Sequence, residues 1–284
     1  MRAYKIRAMG REFTKPKQDE IIKNKSIRAA SKRRTATTVI IIFVLCALLL
    51  TGATWGTIMF IDSNSMRIVI EKSNVGEISI SKTADFSSPA TVLRMDGPED
   101  MTNITYDDIY KDELFGKDGD HHGDDYIAYS FYLKNIGASD ILYKDTMVFK
   151  YVSNDVERAV RIIIIEDEEV ATCYAAMKSD GTPENIAYDT DDKDTQLPLP
   201  LGDTRLDGML GTNVTVPFEQ NAPEDSNMTV FDSPDKFLAA GEIKKYTVVI
   251  WLEGSDSDCV DAIIGAKVNF EYKFRVTEVD AIQP

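Results

Sequence analysis

The sequence has 284 residues, of which 43% are hydrophobic, and its formal net charge is −15. This hydrophobic content is enough for a globular core, and the acidic excess argues against nucleic acid as a partner. The charge is unevenly divided: residues 1–34 hold 12 Lys and Arg against 3 Asp and Glu, whereas residues 62–284 hold 20 against 44.

Residues 35–61 contain no charged side chain, and they predict a membrane-spanning helix. A bilayer core needs roughly 20 apolar residues, and this stretch has 27 residues. The basic segment 1–34 predicts a disordered cytoplasmic tail, which places the region 62–284 outside the cell. A cleaved export signal is the alternative, because such signals also join basic residues to an apolar core. The length of the stretch favours a retained signal-anchor.

The region 62–284 predicts an all-β domain. Apolar and polar residues alternate in 126–135 and 266–277, and 158–165 is an apolar run typical of a strand buried on both faces. Composition predicts further strands at 67–71, 75–82, 141–152, 170–177 and 243–252. Successive short strands without long helices between them indicate an antiparallel β-sandwich.

Two segments interrupt the predicted strands. Residues 105–125 are acidic and contain glycine, which predicts a surface loop with one helical turn at most. Residues 178–227 are polar and rich in Asp and Pro, which predicts a long loop insertion with a short strand near 211–216. Its apolar content is too low for a second domain.

Two acidic clusters are candidate calcium sites. The first, Asp118, Asp120, Asp124 and Asp125, resembles the start of an EF-hand loop, with Gly123 at position six. Position twelve is Tyr129 rather than an acid, which excludes an EF-hand and leaves an irregular calcium loop. The second cluster is Asp189, Asp191, Asp192 and Asp194. The alternative for both is a solvated acidic loop.

No catalytic constellation is visible, and we predict that the protein is not an enzyme and has no cofactor apart from calcium. His121 and His122 are the only histidines, and their adjacency does not fit the His-Glu-x-x-His spacing of a zinc hydrolase. A cysteine or serine nucleophile would have to use the same pair as its base.

Cys173 and Cys259 are the cysteines of the region 62–284. In an oxidising compartment they could form a disulfide that stabilises the fold by about 4 kcal/mol. Two separate buried thiols are the alternative, and the sequence leaves both open because it does not give the distance between them.

Four segments carry a family resemblance: GEISISKTADFSSP (76–89), AYSFYLKNIG (128–137), DKFLAAGEIKKYTVVIWLEG (235–254) and SDSDCVDAIIGAKVNFEYKF (255–274). They resemble the TasA/camelysin-like proteins, which are bacterial cell-surface and biofilm-matrix proteins. GTIMFIDSNS (56–65) is similar to the region that their signal peptidase cuts. The resemblance implies a jelly-roll-like β-sandwich. In fibre-forming members it also implies an N-terminal strand that completes a neighbour's sheet, for which residues 66–72 are the candidate.

These observations predict a non-enzymatic extracytoplasmic protein, tethered to the membrane or released, that takes part in envelope or biofilm-matrix assembly by β-strand association. Its expected partners are the membrane, further copies of itself and other surface proteins. The alternative is a cation- or ligand-binding module that uses the acidic loops 118–125 and 189–194.

Overall fold

The chain divides into two compact units, Met1–Ile58 and Met59–Pro284. The computed structural model describes Lys23, Ile41 and Ile42 of the first unit, and residues 64–74, 76–98, 101–109, 111–188, 206–219 and 228–280 of the second. The predicted tail 1–34 and apolar span 35–61 therefore lie outside the described residues, apart from those three positions. Within the described part of the chain, no helix has the length and apolar character needed to cross a bilayer.

The described residues of the second unit form strands joined by turns and short helices. The strands are β1 Ser65–Ile70, β2 Ile78–Ser81, β3 Val92–Asp96, β4 Gly119–Asp120, β5 Tyr126–Asn135, β6 Ile141–Val152, β7 Val160–Glu166, β8 Val170–Ala175, β9 Val216–Pro217, β10 Thr229–Asp232, β11 Lys236–Leu238, β12 Ile243–Leu252 and β13 Val268–Val279. The α-helices are α1 Lys111–Leu114 and α2 Asp207–Leu210.

The strands form two sheets, which confirms the prediction of an all-β sandwich. The first sheet has the order β10-β6-β13-β1-β3, and β11 also pairs with β6; the second has the order β2-β5-β12-β7-β8-β9, and β4 also pairs with β5. Two pairs depart from the predicted antiparallel arrangement, because β1 runs parallel to β13 and β8 runs parallel to β9. Parallel neighbours need a long connection between them. Most of the unit separates β1 from β13, and the segment 178–227 contributes most of the connection from β8 to β9.

The strongly patterned strands lie where the sequence predicts them. The predicted strands 126–135, 141–152 and 243–252 have the same bounds as β5, β6 and β12. β7 is buried on both faces, as the apolar run indicates. In β13 the inward side chains of Phe270, Tyr272 and Phe274 are at most 2% exposed.

The main core lies between the two sheets, and aromatic rings fill its centre. Phe131 of β5 and Tyr246 of β12 meet Tyr272 and Phe274 of β13, with ring centroids 5.3–6.1 Å apart. Ring pairs at these separations add to the stability gained from burial alone. The two sheets are therefore joined by a continuous aromatic contact.

A second apolar cluster covers the other face of the second sheet. Ala128, Ile163, Val249 and Trp251 point to this face because successive strand residues alternate sides. Their cover comes from the two segments predicted as polar loops, which supply the buried residues Tyr106, Ile109, Leu114, Ile186, Ala187 and Leu206. These segments are thus partly structural: their few apolar side chains face the sheet.

Candidate functional site

The first strand of the second unit is an integral part of the first sheet. β1 lies between β13 and β3, in register from Ser65 opposite Asn269 to Ile70 opposite Phe274 on the β13 side. Its inward side chains Met66, Ile68 and Ile70 are at most 5% exposed. Full burial of such a side chain is worth about 1.5–3 kcal/mol, so β1 contributes substantially to the main core.

Polar contacts fix the start of β1 in this position. Ser65 Oγ donates a hydrogen bond to Asn269 Oδ1 at 2.7 Å, and Asn64 Oδ1 accepts one from the backbone N–H of Val268 at 3.1 Å. The N–H of Gly97 donates to the Asn64 carbonyl oxygen at 2.8 Å. These contacts define where the strand begins, at Ser65, which is four residues after the end of the predicted apolar span 35–61.

Charged side chains lie beside β1 on the outer face of the first sheet. The carboxylate of Glu271 on β13 lies 3.7 Å from Arg67, 4.0 Å from Lys150 and 3.4 Å from Lys273. Arg67 is also directly opposite Arg94 of β3, an arrangement that is unfavourable for two like charges. The Glu271 carboxylate lies close enough to Arg67 to offset part of this repulsion.

The residues of the first predicted calcium cluster have separate hydrogen-bond partners. Asp118 Oδ1 accepts from the Tyr132 hydroxyl at 2.6 Å, and Asp125 Oδ1 accepts from the N–H and hydroxyl of Thr102 at 2.8 and 2.7 Å. These bonds from Thr102 lower the pKa of Asp125. The remaining cluster members are Asp120 and Asp124.

Asp120 belongs to a small cluster of its own with the two histidines. Its carboxylate lies 2.5 Å from Nδ1 of His122. Burial lowers the pKa of His121, whose Nδ1 lies 2.9 Å from the carbonyl oxygen of Gly119. Among the described residues no group of three or more His, Cys, Asp or Glu is placed to hold a metal ion. The second predicted cluster, Asp189, Asp191, Asp192 and Asp194, lies outside those residues, and calcium binding stays a prediction.

Cys173 and Cys259 are free thiols on opposite sides of the second sheet. The alternation of β8 directs Cys173 into the outer cluster, whereas Cys259 follows β12 and packs against the main core. Of the two alternatives that the sequence leaves open, two separate thiols describe the structure, and the candidate disulfide is not formed. Burial raises the pKa of Cys173 to about 12, so little nucleophilic thiolate is present near neutral pH.

Glu253, in the WLEG segment, is the centre of a buried hydrogen-bond network. Its carboxylate accepts from the Tyr106 N–H at 3.0 Å, from Trp251 Nε1 at 2.9 Å, and from the Ser255 N–H and hydroxyl at 3.1 and 2.5 Å. Burial raises the pKa of Glu253, and the hydrogen bonds from Ser255 and Trp251 oppose that rise. All four donors come from the protein, so this carboxylate organises local structure.

Arg161 on β7 forms a second buried network beside the first. Its guanidinium donates to Asp256 Oδ2 at 2.6 Å and to the Asn185 carbonyl oxygen at 3.0 Å, and it lies 3.6 Å from Glu184. The Tyr188 hydroxyl donates to Glu184, and burial raises the pKa of that carboxyl. Sequence analysis missed this network; the available signal was a single Arg within the apolar run of β7. The network attaches residues 184–188 to the sheet, which is a structural role.

Comparison of the chain with protein-family models, with curated proteins and with solved structures finds no match in any of the three. The resemblance described above therefore remains a prediction. Of the features in this part of the chain, β1 is the candidate functional element, because it combines a defined register, buried side chains and a position directly after the predicted span.

Proposed function

We propose that the protein is a non-enzymatic cell-surface protein that takes part in envelope or biofilm-matrix assembly through association of its first strand with the sheet of another copy. The observation that carries this proposal is the position of β1 between β3 and β13, because β13 lies at the opposite end of the unit in sequence. An N-terminal strand with such a position can be exchanged between copies, since the same backbone hydrogen bonds form in either arrangement.

The proposal includes the membrane-tethered or released extracytoplasmic location and the jelly-roll-like arrangement that the family resemblance implies. The two facing sheets support the second of these, as does the placement of the first strand beside the last one. Removing β1 would leave the backbone groups of β13 and β3 unpaired, which are open edges that recruit a further strand. An exchanged β1 would restore both ladders and the burial of Ile68.

A disulfide test distinguishes exchange from pairing within one chain. Val69 on β1 is directly opposite Val92 on β3, and the Ile70 N–H donates to the Thr91 carbonyl oxygen. The pair Val69–Val92 is therefore a non-hydrogen-bonded antiparallel pair. Its Cα atoms are expected about 4.5 Å apart, within disulfide reach. We use chains that begin at Met59, the start of the second compact unit, with Cys259→Ala to remove the more accessible thiol.

A Val69→Cys chain is mixed with a Val92→Cys chain, refolded together and oxidised. Exchange predicts a covalent heterodimer on a non-reducing gel, and linked species in negative-stain images. A Val69→Cys chain mixed with a Val216→Cys chain is the matched control, because Val216 is exposed and lies on the second sheet. The double variant Val69→Cys/Val92→Cys is the positive control for disulfide formation within one chain. If it forms this disulfide and the first mixture contains only monomers, the proposal is overturned.

A further inference from the structure

Lys236 and two carboxylates meet at one end of the main core. Lys236 Nζ lies 3.0 Å from Asp145 Oδ1 and is in contact with Glu166 Oε1. The Asp145 side chain is 1% exposed and that of Lys236 is 22% exposed. This arrangement is costly to bury as a simple ion pair, because the desolvation of each charge opposes their attraction.

The fold brings the three residues together from three strands. Lys236 lies on β11, which pairs antiparallel with β6 so that Lys236 is opposite Tyr143, two residues before Asp145. Glu166 is the last residue of β7 in the second sheet. The cluster thus spans both sheets, and its geometry is fixed by strand register rather than by a loop.

Two hydroxyl groups hold and polarise the Asp145 carboxyl group. The Tyr272 hydroxyl donates to Oδ2 at 2.6 Å, and the Ser233 hydroxyl donates to Oδ1 at 2.5 Å. The ring of Tyr246 lies 5.5 Å from Lys236 Nζ. Donors fixed on both oxygens stabilise negative charge that develops on a carboxyl group under nucleophilic attack.

The two carboxylates differ in their surroundings. The difference suits the two carboxyl roles in amide formation, which are the electrophile and the group that transfers protons. Asp145 is buried and held by two hydroxyl donors, which suits an electrophile. Glu166 is 31% exposed and contacts the amine, which suits a group that transfers protons between the amine and the departing oxygen. Lys236, fixed beside both, is the nucleophile. Lys236 Nζ lies 3.0 Å from Asp145 Oδ1, and reactants held this close gain a very large effective concentration.

We propose that Lys236 and Asp145 become joined by an intramolecular amide bond, with Glu166 as the proton-transfer group. A proton passes from the Lys236 ammonium group to the Asp145 carboxylate, which gives a free amine and a carboxylic acid. Nζ attacks Cγ of Asp145 and a C–N bond forms. Glu166 takes a proton from Nζ and returns it to one carboxyl oxygen, the C–O bond breaks, and water leaves. No oxidant or reductant takes part.

The bond would cross-link β11 to β6 and close a covalent loop around residues 145–236. That loop contains β7, β8 and the segment 178–227. The cross-link would help to hold the buried residues of this segment, Ile186, Ala187 and Leu206, against the second sheet. The reaction also replaces a buried ion pair with a neutral amide, which removes the desolvation cost of two charges. A protein exposed outside a cell would gain resistance to unfolding and proteolysis from it.

Mass spectrometry of the full chain tests the proposal directly. The expected result is an intact mass lower than the sequence mass by one water molecule, and a digest containing one branched peptide that joins Lys236 to Asp145. In Lys236→Arg the water loss should disappear. In Asp145→Asn the same bond should form with loss of ammonia in place of water, a signature that an ion pair cannot give.

Glu166→Gln should prevent the mass loss while circular dichroism shows a folded protein. Lys244→Arg is the matched control, because Lys244 also contacts two carboxylates, Asp167 at 3.1 Å and Glu242 at 3.7 Å, at the surface. It should keep the mass loss. A folded wild-type chain whose Lys236 and Asp145 appear in separate, unmodified peptides after prolonged incubation would overturn the proposal. Water loss in Glu166→Gln at the wild-type rate would overturn the role of Glu166.

Discussion

Glu253 shows how one buried acceptor can organise several loops. Its two oxygens accept four hydrogen bonds, from Tyr106, Trp251 and Ser255. Tyr106 belongs to the cover of the outer cluster, and Trp251 belongs to β12. A carboxylate suits this position because it accepts on both oxygens and donates from neither. The WLEG segment thus contains the acceptor that joins these three parts of the chain.

The substitution Glu253→Gln should destabilise the second unit by about 1–3 kcal/mol. The NH2 group of Gln would replace one carboxylate oxygen, and the N–H and O–H groups that donate to that oxygen would lose their buried acceptor. Urea denaturation followed by tryptophan fluorescence measures the loss. Glu169→Gln is the control, since Glu169 is exposed in the turn between β7 and β8. Equal denaturation midpoints for the two variants would contradict the structural role of Glu253.

At the scale of elements, β1 determines whether the first sheet is complete. Ile68 points into the main core and is 1% exposed, whereas its neighbour Val69 faces outward and is half-buried. Ile68→Ala should cost about 2–5 kcal/mol, the usual range for a large-to-small change in a core, and Val69→Ala much less. Thermal unfolding of both variants as monomers checks this. Similar losses would mean that β1 does not occupy this position in solution.

The sequence predicts strands well where both faces have a clear character. β5 and β13 alternate and β7 is apolar over most of its length, so their existence follows from local pattern. The parallel pairing of β1 with β13 could not be predicted, because the two strands lie at opposite ends of the unit and no turn connects them. Pairing of this kind depends on the complete fold.

The cover of the second sheet was missed for a different reason. Tyr106, Leu114 and Leu206 are single apolar residues within polar segments, so averages over those segments describe solvent-facing loops. The cluster of Lys236, Asp145 and Glu166 is equally invisible in the sequence. Its members lie on three strands, and only the register of β11 against β6 brings the first two together. The sequence shows which residue types are present, but the contacts between these residues depend on the fold and could not be predicted from the sequence.

For the whole molecule, the location of β1 limits where the chain can be shortened. Residues 62–284 carry 20 Lys and Arg against 44 Asp and Glu, so copies repel one another at low ionic strength. The proposed association through β1 has to overcome this repulsion with backbone hydrogen bonds and apolar burial. A mature protein that lacked β1 would lose both contributions.

N-terminal sequencing of the protein recovered from cells tests this limit. We expect a start at Met1, for a tethered protein, or between Ala53 and Asn64, for a released one, because β1 begins at Ser65. A start beyond Ile70 would expose two strand edges and remove the core side chains of Met66, Ile68 and Ile70. Purified chains that begin at Asn64 and at Glu71 provide the matched comparison. The shorter chain should unfold at a lower temperature and expose the apolar face of β13 to a fluorescent dye. Equal stability of the two chains would show that β1 is dispensable to the unit, and exchange of β1 could then not drive assembly.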